Sequence, residues 1–113
     1  MESQLELWGK LMEQVEKFQQ VQPDVMSGEQ AVMDIVYKDG ALDLKVKRLI
    51  ALGVALRAGC TACILAQTKR AVEAGARKDE VFEAISVAVS MSGTTGICES
   101  LRVIKLLEEL GVQ

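Results

Sequence analysis

The stretch Asp43–Cys60, "DLKVKRLIALGVALRAGC", decides how this chain folds. Asp43 precedes an apolar run, the pattern of a helix N-cap whose side-chain oxygen accepts from an unpaired backbone N–H. Beyond Leu49 the segment is apolar on most sides of a 3.6-residue wheel. A helix carried through Leu56 to Arg57 is therefore expected at the centre of the fold. Gly59 supplies the left-handed residue that ends such a helix, and Cys60 opens the next one.

The same punctuation recurs outward from this centre. Gly40, Gly59, Gly75, Gly93 and Gly111 each follow a helix-like segment, where a left-handed C-terminal residue is expected. Upstream, Glu2 to about Val21 sets Leu5, Trp8, Leu11/Met12, Val15 and Phe18 at spacings of three and four, one apolar stripe on an amphipathic helix. Pro23, the only proline, marks its break. A second helix is predicted from near Ser27 to Lys38, with Val32, Ile35 and Val36 inward. Downstream, a fourth helix from about Cys60 to Ala74 buries Ile64, Ala71 and Val72. The fifth starts at Lys78–Glu80 and contains "VFEAISVAVSM", whose β-branched content suits a strand but whose flanks favour helix. The sixth runs from about Thr95 to Leu110. There is no hairpin signal, linker or repeat, so the expectation is a single all-α domain of about six helices over residues 1–113.

A chain of 113 residues makes one domain and buries roughly two-thirds of its unfolded surface. Half of its residues are apolar and few are aromatic, so the core is aliphatic, with apolar surface left over for burial between subunits. The net charge of −3, with lysines and arginines scattered, argues against a nucleic-acid partner. The N-terminus "MESQLELWGK" is polar and acidic, unlike a secretory or transit peptide. The apolar run "LIALGVAL", Leu49–Leu56, is far shorter than the roughly 20 residues that span a bilayer. A soluble cytoplasmic protein without a membrane partner is expected. In that reducing compartment three cysteines do not make a structural disulfide framework.

The chemistry concentrates in "RAGCTACILAQ", Arg57–Gln67. A thiol in the first turn of a helix faces unpaired N–H groups and the positive end of the macrodipole, both of which favour thiolate. Thiolate is the nucleophilic form. Cys63 lies one turn after Cys60 on the same face. Either sulfur could therefore resolve a sulfenic acid or mixed disulfide formed on the other. Structural zinc takes four N or S ligands, and three cysteines without a histidine fall short within one chain; no metal and no cofactor is assigned. Without histidine, Ser-His and Cys-His mechanisms are closed as well. "SGTTG", Ser92–Gly96, lacks the lysine and strand of a phosphate loop and reads as the opening of the last helix. Cys98 is expected in the core, with a third redox partner as the alternative. Glu99 beside it is either a local base or a surface charge. These residues alone leave two readings of the pair open: a redox dithiol, or two small buried hydrophobes.

"LIAL", then "GCTAC", then "AVEAGARKDEVFEAI" occur in order within Leu42–Gly93. That segment resembles the carboxymuconolactone decarboxylase superfamily, and within it the C-x-x-C branch of alkylhydroperoxidase D, with a family-like core over about 25–110 and an added N-terminal helix over about 2–21. The resemblance implies an all-helical subunit that assembles into trimers or hexamers. It also implies a Cys60/Cys63 dithiol that reduces a hydroperoxide or another small molecule, or passes electrons to a thiol/disulfide protein partner, as a peroxidase or disulfide reductase of antioxidant type. In that branch a glutamate twelve residues before the first cysteine and a histidine four after the second form a proton relay. Here those positions hold Arg48 and Gln67. Gln67 shares a helical face with Cys63 and can donate a hydrogen bond, but it takes up no proton. Arg48 would set a fixed positive charge near the thiols and favour thiolate. Two expectations follow: a dithiol activated by charge instead of by a relay, or a degenerate, non-catalytic member acting as an oligomeric structural protein. The decarboxylase chemistry of the family's other branch relies on acid–base groups including histidine, which this chain lacks.

Overall fold

The computed structural model describes every residue from Met1 to Gln113. Six helices follow one another without a strand: α1 (Gln4–Val21), α2 (Pro23–Val36), α3 (Leu44–Ala58), α4 (Thr61–Glu73), α5 (Lys78–Ser92) and α6 (Thr94–Glu109). The central helix is α3, as its all-round apolar composition requires. Asp43 caps it by accepting from the Val46 N–H at 2.9 Å. Its Leu52 and Leu56 are fully buried, meeting Ile64 and Ala71 of α4, Val81, Ile85 and Ala88 of α5, and Val103 and Leu107 of α6. Each Leu, Ile or Val among them contributes about 1.5–3 kcal/mol by leaving water. An ion pair from Lys45 to Glu80, at 2.9 Å, ties the start of α3 to the start of α5.

The strand-like run Val81–Met91 is helical because its buried residues fall at Val81, Ile85 and Ala88, spacings of four and three that only a helix turns inward. The Glu80 side chain accepts from the Arg77 backbone N–H at 2.9 Å and fixes where the helix begins.

Three expectations change at α2. The helix begins at Pro23 itself, because proline at the first position lacks an N–H that would be unpaired anyway. Val32, Ile35 and Val36 face outward, 52%, 71% and 47% exposed. The half-buried positions are Met26, Met33 and Tyr37, seven and then four residues apart, so the true inward stripe is rotated from the β-branched one. Finally, Gly40 is not left-handed, unlike Gly59, Gly75, Gly93 and Gly111. The Lys47 ammonium does the capping instead, donating to the carbonyl oxygens of Val36, at 2.8 Å, and of Lys38.

At the other end, α1 is held by its N-terminus. Gln4, fully buried, donates its backbone N–H to Glu109 Oε1 at 2.6 Å and accepts from Arg102 Nη1 at 3.1 Å through its side chain. The far half of the α1 stripe is not covered: Val15 and Phe18 are exposed. Cys98 is exposed too, which corrects its expected place in the core: α6 turns Ser100, Val103 and Leu107 inward, and position 98 falls outside that stripe.

Candidate functional site

The α3–α4 junction positions the cysteine pair. Gly59, at φ 71°, reverses the chain with its N–H bonded to the Ala55 carbonyl at 2.9 Å, and Cys60 follows as the N-cap of α4. Cys60 and Cys63 are joined as a disulfide with their Cα atoms 5.2 Å apart. The Cys60 sulfur also accepts from the Cys63 backbone N–H at 3.3 Å, so the capping contact of α4 is made by sulfur. Cys63 is exposed and Cys60 half-buried.

The two residues singled out by their departure from the resembled pattern stand together here. Arg48 of α3 donates from Nη1 to Oε1 of Gln67, one turn beyond Cys63 on α4, at 3.2 Å. The Arg48 guanidinium also lies over the Tyr37 ring, 3.5 Å from its centroid, within range of a cation–π contact. Burial, and next the charge of Arg70, pull the Arg48 pKa below its ordinary value, while Tyr37 and Glu73 oppose the shift. An arginine starts so far above neutrality that the group stays charged.

Two cavities of about 560 Å³ each open on either side of this cluster. The first is lined mainly by the apolar face of α3, including Ile50, Ala51 and Val54, and it exposes both Cys60 and Cys63. The second lies among α1, α2, α3 and α4, lined by Trp8 of α1, Met33 of α2, Arg48 of α3 and Arg70 of α4. Tyr37, Cys63 and Gln67 belong to both and form the wall between them. Cys63 is thus reached from two directions.

Of the residues marked in the sequence, Cys60, Cys63, Arg48 and Gln67 come together. Cys98 and Glu99 do not: both lie on α6, away from these cavities, and Glu99 pairs with Arg102 at 3.5 Å. Tyr37 was missed. No spacing in the sequence ties it to the cysteines; the available signal was that the only tyrosine ends the helix ahead of the α3 cap. No three His, Cys, Asp or Glu side chains are grouped as metal ligands would be, and no helix is long and apolar enough to cross a membrane.

Known proteins match this chain along most of its length. The model of the carboxymuconolactone decarboxylase family matches residues 23–106. An uncharacterised protein of Cupriavidus necator is 36% identical over 77 residues, 68% of either chain. An uncharacterised protein of the cox locus of Paracoccus denitrificans is 35% identical over 80 residues, 71% of this chain and 72% of the other. Among solved structures, a carboxymuconolactone decarboxylase family protein of Legionella pneumophila superposes with a TM-score of 0.88 at 28% identity, covering 96% of this chain and 97% of its own. A family protein of Thermotoga maritima, with a suggested involvement in antioxidative response, superposes with a TM-score of 0.72 at 32% identity over 76% of this chain and 89% of its own. The chain belongs to the carboxymuconolactone decarboxylase family.

Proposed function

We propose that the protein is a thiol-dependent oxidoreductase that reduces hydroperoxides with a Cys60/Cys63 dithiol. The observation that carries this reading is the disulfide between two cysteines in the wall of an open cavity, one of them at a helix N-terminus. In the reduced protein the Cys63 thiolate, exposed to both cavities, attacks the terminal oxygen of ROOH. The O–O bond breaks, an alcohol leaves after taking a proton from solvent, and Cys63 carries a sulfenic acid. The Cys60 thiolate then attacks that sulfur and displaces hydroxide, which becomes water as the disulfide closes. Two thiols and ROOH thus give a disulfide, ROH and water. A dithiol reductant or a thiol/disulfide partner protein supplies two electrons to reopen the pair.

Arg48 replaces a proton relay by fixed charge. A cation near the thiols favours thiolate, and Gln67 offers its amide N–H groups to the Cys63 side. We place the protein in a reducing cytoplasm as a homo-oligomer, a trimer or hexamer. Support for assembly comes from apolar side chains left bare along α5, where Val87 is 68% and Met91 77% exposed.

The test is peroxide consumption coupled to a dithiol donor, with Cys60→Ser and Cys63→Ser. Both variants should lose turnover, and only Cys60→Ser should accumulate a sulfenic acid. Consumption unaffected by either change overturns the reading in favour of a packing role for the cysteines.

A further inference from the structure

The second cavity holds two guanidinium groups, one of which, Arg70, has no part in the dithiol chemistry. Arg48 and Arg70 both line it, and every ion pair of the chain lies elsewhere. Arg48 makes no ion pair: the side chains in contact with it, the Gln67 carbonyl and the Tyr37 ring, are neutral, and Glu73 acts on it only from a distance. One of its five N–H donors is thereby used. A guanidinium drawn partly out of water without a carboxylate is costly, and a second guanidinium nearby raises the cost. An arriving anion would relieve both. Two carboxylates share the lining from α2, Glu29 and Asp34; Asp34 accepts from Gln30 Nε2 at 2.9 Å.

The apolar and deformable part of the lining comes from α1 and α2, with Trp8, Met12, Met26 and Met33. A space of about 560 Å³ falls within the range of small-molecule sites, roughly 300–1,000 Å³. An anionic end beside an apolar wall fits an amphipathic ligand better than an inorganic ion. A planar guanidinium fork matches a carboxylate with two parallel hydrogen bonds.

We propose that this cavity binds a small alkyl carboxylate, its head on Arg48 with Arg70 alongside and its tail against Trp8 and the methionines. Cys63 lines the same space, so the corresponding substrate is a hydroperoxide that carries a carboxylate, such as that of a fatty acid. This substrate class rests on the peroxidase reading above; binding of the carboxylate does not.

Trp8 is the only tryptophan and lines the cavity, so its emission reports occupancy. Decanoate titrated into the disulfide form should give a saturable change. Its affinity should fall by about tenfold or more in Arg48→Met, as expected for losing a charged hydrogen-bond pair, and less in Arg70→Gln. Decanol affinity should be the same in all three proteins. Arg48→Lys, which keeps the charge and loses the fork, should fall between wild type and Arg48→Met, and with Arg70→Gln it carries the test if Arg48→Met does not fold. The proposal is overturned if decanoate gives no saturable change, if decanoate and decanol bind wild type equally, or if the folded variants bind decanoate as wild type does. Decanoate binding together with peroxide inertness would sink the dithiol reading and leave the site standing.

Discussion

Arg48 and Gln67, nineteen residues apart on neighbouring helices, are joined by a hydrogen bond of 3.2 Å from Nη1 to Oε1. These are the positions where the resembled branch carries a glutamate and a histidine. Neither Arg48 nor Gln67 exchanges a proton in the physiological pH range. Because the guanidinium can only donate, it takes the carbonyl end of the amide and leaves the amide N–H groups as Gln67's free end. Any influence of the pair on the dithiol is therefore constant across the physiological pH range.

A pH profile separates a constant field from a relay. In the reduced wild type, alkylation of Cys63 by iodoacetamide should rise with pH as one ionisation, that of the thiol itself. Gln67→His should add a second step near the ordinary histidine value of about 6.5. Arg48 beside it disfavours imidazolium, so the step should lie on the acid side of that value. Superposable single curves for the two proteins would mean that position 67 does not sense the thiols.

The centre of the fold was legible because its signals were local. Asp43, the apolar face from Leu49 and the glycine at position 59 each act within one or two turns, and α3 forms where they place it. The cysteines and their two unusual companions were also legible, through spacing on α4 and through family pattern. What stayed hidden was set by contacts distant in sequence. Nothing near Val32, Ile35 and Val36 says that α2 turns its methionines inward, because that rotation follows from seating Met26 and Met33 around a cavity shared with α1 and α4. Tyr37 was invisible for the same reason: its partner Arg48 comes from the next helix. Cys98 looked internal by residue type, yet the stripe of Ser100, Val103 and Leu107 sets the register of α6 and leaves it outside.

Docking of α1 should depend on acid. Hydrogen bonds from the Ser3 hydroxyl, and then from backbone N–H groups at Gln4 and Leu5, hold the Glu109 carboxyl below its ordinary pKa. A carboxylate with a depressed folded pKa stabilises the fold above its unfolded value, about 4.3 for glutamate. That contribution is lost as pH falls through the lower, folded value. Glu109→Gln should therefore be less stable than wild type at neutral pH, and the gap should close as the solution is acidified past that window. Urea denaturation at several pH values measures it; a gap independent of pH would assign the effect to packing instead of charge.

The α5–α6 corner makes a steric prediction. A Cβ on Gly96 would overlap the Ser92 Oγ and stand 3.2 Å from the Val89 Cα. Gly96→Ala should cost about 1–3 kcal/mol, the usual range for overpacking. Ser92→Ala removes the first obstacle along with a hydrogen bond to the Ala88 carbonyl at 2.7 Å, a loss of about 0.5–1.5 kcal/mol. The double variant should be more stable than the two single losses added together, because the overlap is counted once and then relieved. It should still fall short of Ser92→Ala alone, since the Val89 contact is backbone. Simple additivity would place the helices farther apart than described.

Gly59 links stability to the dithiol. At φ 71° it occupies the left-handed region, and a Cβ there meets no atom within 4 Å, so substitution is opposed by backbone conformation alone. Alanine in that region costs about 1–3 kcal/mol, whereas asparagine tolerates it better. Gly59→Ala should thus lower the unfolding free energy by that amount and Gly59→Asn by clearly less. The strain falls on the residue before Cys60, whose sulfur makes the N-cap contact to the Cys63 N–H. Relaxing Gly59 toward ordinary φ would swing that cap away from the helix axis and weaken the field on the Cys60 thiolate. Thiol pKa values, followed by ultraviolet absorbance of the reduced protein, should then rise in Gly59→Ala and hold in Gly59→Asn. A loss of stability with unchanged thiol titration would separate the turn from the chemistry.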